Sequence, residues 1–313
     1  MITTVTLNPA LDLTLSVSQI KTDDSNRVHA VRKDPGGKGF NVSRIVKRLG
    51  YPTTAIGLLG GPDGAEVLDL LKREGIYVWH VPIVGVTRVN VTVTDRNGVQ
   101  TKFNEKGPHI KHDEFKALSS LLGQVMDNAK ILVLSGSLPP GLPDGTYAPL
   151  IRLARASNSK LKVVMDADGE ALHHAIKARP FLIKPNVYEL NRLLGTAFTE
   201  STPSASLLLP LRRLIERGPE AVLLSLGSRG ILYVDAVQAY QAAAPKVPVR
   251  TTVGAGDSLL AGFVTGLAKG APVSECLQLG LACAGATVQQ RGTQLAALRD
   301  IKKLLPKIVV SKI

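Results

Sequence analysis

Short, nearly continuous apolar runs recur along the chain, at Thr3–Leu7, Thr53–Leu58, Ile131–Ser135, Lys162–Asp166, Phe181–Lys184, Ala221–Ser225 and Gly230–Val234. A strand with one wet face alternates apolar and polar residues; runs this apolar predict strands covered on both faces. Between them, apolar residues recur at helical spacing over Phe40–Leu49, Ala65–Arg73, Asp113–Met126, Tyr147–Ala156, Val187–Leu194 and Leu207–Glu216. Strand and helix in alternation imply βαβ units, hence an α/β fold with a mostly parallel sheet flanked by helices. The last third changes character: Ser258–Lys269, Val273–Gln290 and Leu298–Leu305 are all helical in pattern. No repeat or low-complexity tract interrupts the chain. Ser201–Ser206 reads as a surface loop, and Trp79, in Tyr77-Val-Trp-His-Val, as a packed strand residue.

Two stretches break the alternation. Leu11–Val31 and Val86–Phe103 read as extended, alternating segments, the second with a hairpin turn at Arg96-Asn97-Gly98. Such strands can form a small sheet apart from the main one. Placed over the mouth of an α/β domain, that sheet is a lid, and a lid excludes water from what lies beneath.

Bulk properties narrow the function. At 313 residues, 44% hydrophobic and 20% charged, the chain suits one large globular α/β domain. No apolar run approaches the roughly 20 residues of a membrane helix. The opening, Met1-Ile-Thr-Thr-Val-Thr-Leu7, lacks a basic stretch before an apolar core and reads as a first strand rather than a signal peptide. Cys276 and Cys283 lie on one helix face as small buried residues, with no disulfide framework, so a cytoplasmic location is expected. The net charge of +13 invites a nucleic-acid reading, but the cations are spread along the chain and aromatics are only 4%, too few for base stacking. Neither nucleic acid nor a membrane is the expected partner; a positive field also steers anionic small molecules.

Three motifs carry chemistry. In Thr252-Val-Gly-Ala-Gly-Asp-Ser258, two glycines let the backbone approach a ligand, and the following helix offers free N–H groups to a phosphate. Asp257 would repel a phosphate; it makes sense if it takes a proton from an attacking hydroxyl while the amides hold the group transferred. A plain N-capping Asp fits the isolated motif as well. Pro35-Gly-Gly-Lys-Gly-Phe-Asn41 is not a P-loop, since Gly39 follows Lys38 where Ser or Thr is required; it presents Lys38 and Asn41 at a helix start. In Ile183-Lys-Pro-Asn-Val-Tyr-Glu-Leu190, Asn186 and Glu189 have capping-box spacing, and they equally suit a hydrated Mg²⁺. The turns Leu224-Ser-Leu-Gly-Ser-Arg-Gly230 and Ser135-Gly-Ser-Leu-Pro-Pro-Gly141 follow strands, where an open parallel sheet keeps its crevice. Asp12 reads as a sugar-hydroxyl ligand or a turn acid, and Arg27 and Arg88 as candidates for a substrate phosphate. The six histidines have no metal-site spacing, and no G-x-S-x-G elbow or dinucleotide fingerprint is present.

Together these motifs resemble the ribokinase-like, phosphofructokinase-B sugar kinases. The resemblance runs from Thr4-Val-Thr-Leu-Asn-Pro-Ala-Leu-Asp12 to about Gly292 and includes both glycine signatures. It implies a single Rossmann-like kinase domain over residues 1–313, with lid strands from about 11–32 and 86–106 that often form a homodimer, and transfer of the ATP γ-phosphoryl group to a sugar hydroxyl. Carried over by motif, Asp257 is the base, and the amides of Gly254, Ala255 and Gly256 form the anion hole. Lys184, Asn186, Ser225, Gly227, Gly230, Gly254 and Gly256 face ATP, with Asn186 and Glu189 at Mg²⁺. Asp12, Gly37, Lys38, Asn41 and Asp257 hold the sugar, and Arg27 and Arg88 its phosphate. Thr87-Arg-Val-Asn-Val and Thr101-Lys-Phe-Asn-Glu-Lys-Gly-Pro108 look most like 1-phosphofructokinase, so fructose 1-phosphate is the expected acceptor. Asp34-Pro35 departs toward the 6-phosphofructokinase pattern, leaving fructose 6-phosphate and tagatose 6-phosphate as alternatives. A non-catalytic phosphosugar-binding regulator on the same fold is expected to have lost Asp257 or Glu189; both are present.

Overall fold

The computed structural model describes residues 1–313. Seven strands pair in parallel in the order β11 (Ala221–Ser225), β10 (Leu182–Ile183), β9 (Lys162–Asp166), β8 (Ile131–Ser135), β1 (Ile2–Thr6), β4 (Thr53–Leu59) and β5 (Tyr77–Pro82). Three antiparallel strands, β12 (Ile231–Asp235), β13 (Ala239–Ala242) and β14 (Val310–Lys312), extend the sheet beyond β11 to ten.

Helices cover both faces, as the apolar strands require. Successive strand residues point to opposite sides. Leu132 and Leu134 pack toward α3 (His112–Val125), α4 (Tyr147–Ser157), α5 (Gly169–Ile176), α6 (Val187–Leu194) and α7 (Ser204–Glu216). Ile131 and Val133 pack toward α1 (Lys38–Arg48), α8 (Ala255–Ala268), α9 (Val273–Thr287) and α10 (Leu298–Leu304). A smaller core under α2 (Gly61–Arg73) gathers Val67 and Leu71 with Phe40 and Leu11. Cys276 and Cys283 are buried free thiols on α9. No helix is long and apolar enough to cross a membrane.

The irregular stretches form a separate four-stranded sheet, ordered β3 (Val28–Gly36), β2 (Ala10–Val17), β6 (Arg88–Thr94), β7 (Gln100–Asn104). Its two faces differ in kind. One carries Asp12, Thr14, Asp34 and Asn90, and meets the main body where Thr293 contacts Thr14 and Asp34. The other carries Leu13, Leu15, Val91 and Val93, with Val31 and Phe103 about 60% exposed.

Several expectations need correcting. Strands β13 and β14 and helix α5 were not anticipated, because all are short. Trp79 is not packed: it is 40% exposed on edge strand β5, its ring edge-on to Tyr77. The surface loop at Ser201–Ser206 ends early, since α7 begins at Ser204. Asp12 is no turn acid; it sits inside β2.

Candidate active site

The carboxyl ends of β1, β8, β9 and β10 converge below the small sheet, and the site is assembled there from two glycine turns and three strand ends. The first turn closes β3 and opens α1. Gly37 has φ 114°, and a Cβ there would press on Thr6 Cγ2 at 2.7 Å, so only glycine fits. The turn places Lys38 and Asn41 in the first turn of α1, with Asn41 buried. The second turn opens α8. Gly254 is left-handed at φ 73°, and Asp257 follows in the first turn, 8% exposed. Asn41 joins the two turns by donating from Nδ2 to Asp257 Oδ2 at 2.9 Å.

A second carboxylate, from a residue the sequence reading passed over, organises the charges. Asp166 ends β9 fully buried, with Lys38 Nζ 3.0 Å from Oδ1 and Lys184 Nζ 3.3 Å from Oδ2. Burial pushes the Asp166 carboxyl up, but Lys184 and Lys38 outweigh it and hold it below the usual carboxylate range. Asp166 in turn raises the Lys38 ammonium above its ordinary value against the opposing effect of burial. Asp257 behaves differently. Burial first, then repulsion from Asp166, push it up to about 6, against Lys38, the Asn41 hydrogen bond and Lys184. The signal for Asp166 was present in the sequence: an acid closing an otherwise apolar strand at its carboxyl end.

The amides of Gly254, Gly256 and Asp257 donate to no protein acceptor, whereas Ala255 N–H reaches Thr252 O at 3.4 Å. The bare amides are therefore Gly254, Gly256 and Asp257, not Ala255. A carboxylate that titrates near neutrality beside three unsatisfied N–H groups can accept a proton while the amides hold an oxyanion. Lys184 Nζ lies 3.3 Å from where a Gly256 Cβ would be, over the same turn.

Asn186 and Glu189 form a reciprocal cap on α6: Asn186 Oδ1 accepts from Glu189 N–H at 2.8 Å and Glu189 Oε2 accepts from Asn186 N–H at 2.9 Å. Glu189 Oε1 keeps no protein partner. Asn186 also bridges to Ser225 at the end of β11, and Gly227 follows at φ 57°, its Cα facing the Glu200 carboxylate. Gly230 is demanded by packing, since a Cβ would overlap the Ala242 carbonyl.

On the sugar side, Asp12 accepts from Asn90 Nδ2 at 2.9 Å. Gly36 beside it is obligatory because a Cβ would overlap the Asp12 carboxyl. Burial pushes Asp12 up to about 6; the Asn90 bond and Arg88 act against this and Asp34 adds to it. Arg88 donates to Glu105 O at 2.7 Å and to Asn8 O at 3.0 Å, leaving Nε buried and unpartnered. A cleft of about 550 Å3 brings Gly37, Lys38, Arg88 and Glu189 together with Ser137 and Asp168. Arg27 does not join them. It lies exposed beside Val28, which pairs with Val17, five residues and about 17 Å along β2 from Asp12.

A model described as "pfkB family carbohydrate kinase" matches residues 5–300. The chain is 36% identical to a 1-phosphofructokinase of Bacillus subtilis, covering 100% of both proteins. It is 34% identical to a 1-phosphofructokinase of Borreliella burgdorferi, covering 100% of this chain and 99% of the relative. The solved structure of phosphofructokinase-2 from Escherichia coli in complex with fructose-6-phosphate superposes with TM-score 0.90 at 32% identity over 98% of each chain. The large mostly parallel sheet with its separate small sheet agrees with this superposition, and the chain belongs to the pfkB family of carbohydrate kinases.

Proposed function

We propose that the protein transfers the γ-phosphoryl group of ATP to the free primary hydroxyl of fructose 1-phosphate, giving fructose 1,6-bisphosphate and ADP. The observation that carries this reading is Asp257, buried at the start of α8, held by the Asn41 amide and set beside the bare amides of Gly254, Gly256 and its own N–H. Asp257 accepts the hydroxyl proton as the oxygen attacks phosphorus, and the amides hold the phosphoryl oxygens. Asp12 and Asn41 hold the sugar hydroxyls, with the backbone at Gly37 close enough to touch the ring. Lys38, kept charged by Asp166, faces the cleft where the transferred group passes. Arg88 has an unspent Nε–H for the acceptor's own phosphate. Ser225, Gly227 and the turn to Gly230 lie beside Asn186 and line the nucleotide side.

Mg²⁺ is the expected companion of ATP, and Glu189 fits it: one oxygen is fixed on Asn186 N–H and the other is free at the cleft. Asn186 Oδ1, engaged in the cap, retains a lone pair for a metal-bound water. When bound, the ion neutralises charge on the phosphates.

The small sheet is the lid of this site. Its apolar outer face, with Val31 and Phe103 exposed, suits a second copy of the chain, and the protein is a homodimer through it. Arg27 serves the site only if the second copy's hairpin brings it across.

The test is ADP release measured over fructose 1-phosphate, fructose 6-phosphate and tagatose 6-phosphate. The highest kcat/KM is expected with fructose 1-phosphate, as the names of the full-length relatives support. A higher value with fructose 6-phosphate would move the assignment to 6-phosphofructokinase. Phosphosugar binding without turnover of any acceptor would leave a regulator.

A further inference from the structure

Arg44 is 1% exposed, an unusual position for an arginine, and the functional reading above gives it no task. Its guanidinium makes five polar contacts, four of them hydrogen bonds and one an ion-pair contact. Nε donates to Glu74 Oε1 at 2.9 Å. Nη1 donates to Pro35 O and to Asn41 Oδ1, both at 3.3 Å. Nη2 donates to Asp34 Oδ1 at 3.3 Å and lies 2.7 Å from Glu74 Oε1. Four of these contacts anchor the planar fork to the end of β3 and to Glu74. The fifth reaches Asn41, one helical turn back on the same face of α1.

The consequence follows from donor chemistry. An asparagine amide can turn over and exchange its oxygen for its NH2. Arginine is a donor only and an ionised carboxylate an acceptor only. Asn41 stands between the two, with Oδ1 toward Arg44 and Nδ2 toward Asp257. We propose that Arg44 is a positioning residue that locks the Asn41 amide so that its N–H, and not its oxygen, faces Asp257, and so keeps the base ionised. The lock ties the base to the strand that ends the lid sheet, through Asp34 and Pro35. The groups facing Asp257 are Asn41 and Lys38 from α1, Asp166 from β9 and Lys184 after β10. Of these only Asn41 can face it in two senses, and the wrong sense sets an oxygen against the carboxylate.

The proposal rests on Asp257 being the base, so Asp257→Asn is the first control; if that variant keeps wild-type turnover, the base assignment falls and not merely the role of Arg44. With that control inactive, Arg44→Gln, which is no longer a donor only, is expected to move the acidic limb of kcat upward by about 0.5–1 pH unit, while KM for both substrates stays within about twofold. Asn41→Ala is expected to move the limb alike, and adding Arg44→Gln to it should move it no further. An unmoved limb in folded Arg44→Gln, or an equal shift added in the Asn41→Ala background, overturns the proposal. Should Arg44→Gln fail to fold by circular dichroism, Arg44→Met carries the same reading. Asn41→Asp, which keeps an acceptor toward Arg44 and removes the N–H, must also raise the limb, and an unmoved limb there overturns it too.

Discussion

Helices α1 and α8 both start at a glycine with positive φ, Gly37 at 114° and Gly254 at 73°, and neither has a side-chain cap. The positive end of a helix dipole favours an anion and disfavours a cation. By that rule Asp257 should ionise easily and Lys38 should lose its proton easily. The charges run the other way: Asp257 is pushed up to about 6 and Lys38 is held above its usual range. The reasons are burial, which acts first on Asp257, and Asp166, which lies against the lysine of one helix start and repels the acid of the other. A buried carboxylate at hydrogen-bond distance outweighs the partial charge of a helix end, because so little water remains to screen it. The two turns supply geometry; burial and Asp166 together set their protonation.

The comparison is broken most severely at Asp257. Asp257→Asn should lower kcat by roughly 10²- to 10⁴-fold while ATP still binds, read by steady-state kinetics and nucleotide titration. In the wild type, kcat/KM should fall as pH drops through about 6, where Asp257 takes up its proton. Stability should respond with the opposite sign. A carboxylate whose folded pKa is raised costs the most stability above that folded value, and the cost is recovered as pH falls from the folded value to the unfolded one. The amide variant should therefore unfold at higher denaturant near pH 7, by roughly 2 kcal/mol, and lose that advantage below about pH 4. Lower stability at pH 7 would mean that burial at this position is not the strain it is taken to be.

Removing Asp166 tests what links the two helix starts. Asp166→Asn leaves buried Lys184 and half-buried Lys38 without their shared anion, and should cost about 3 kcal/mol in urea unfolding. In the protein that folds, the acidic limb of kcat should move to lower pH, because the repulsion on Asp257 is gone and both lysines now act on it alone. A limb that stays in place would return control of the base to burial.

The same contrast explains what could be read from the sequence. The glycine turns were legible because a positive φ is a local demand, met by a local residue type. The parallel core was legible because Ile131–Ser135 and its fellow strands are apolar throughout. The edge strands were less so: Tyr77–Pro82 reads as a strand but as a packed one, although its exposed positions outnumber the buried ones, and no apolar run marks Val310–Lys312. The network was hidden for a different reason. Lys38 meets its acid 128 residues away and Asn41 meets its base 216 residues away, and no periodicity records such a meeting. Arg44 looks like any helix-surface cation until Asp34 and Glu74 are seen around it. Arg27 is a case of the opposite kind, since a motif gives its place along the chain but not its distance from Asp12 across the small sheet.

The mildest test compares the glycines themselves. Gly254 has φ 73° and ψ 0°, close to a region an alanine enters at a cost of roughly 1–2 kcal/mol. A Cβ there would meet Leu295 Cδ2 at 2.6 Å, the far end of a side chain that can turn aside. Gly37, at φ 114° and ψ 132°, lies outside that region. A Cβ there would meet Thr6 Cγ2 at 2.7 Å and Pro9 Cα at 3.3 Å, and neither neighbour can yield without moving backbone or a β-branched side chain. Gly37→Ala should therefore lose more stability in chemical denaturation than Gly254→Ala. It should also weaken sugar binding more than nucleotide binding, since Thr6 and Pro9 support the sugar side and Leu295 does not. If Gly254→Ala proved the worse of the two, the tolerance assigned to its left-handed start would be mistaken, and the amides of that turn would be held more rigidly than those of α1.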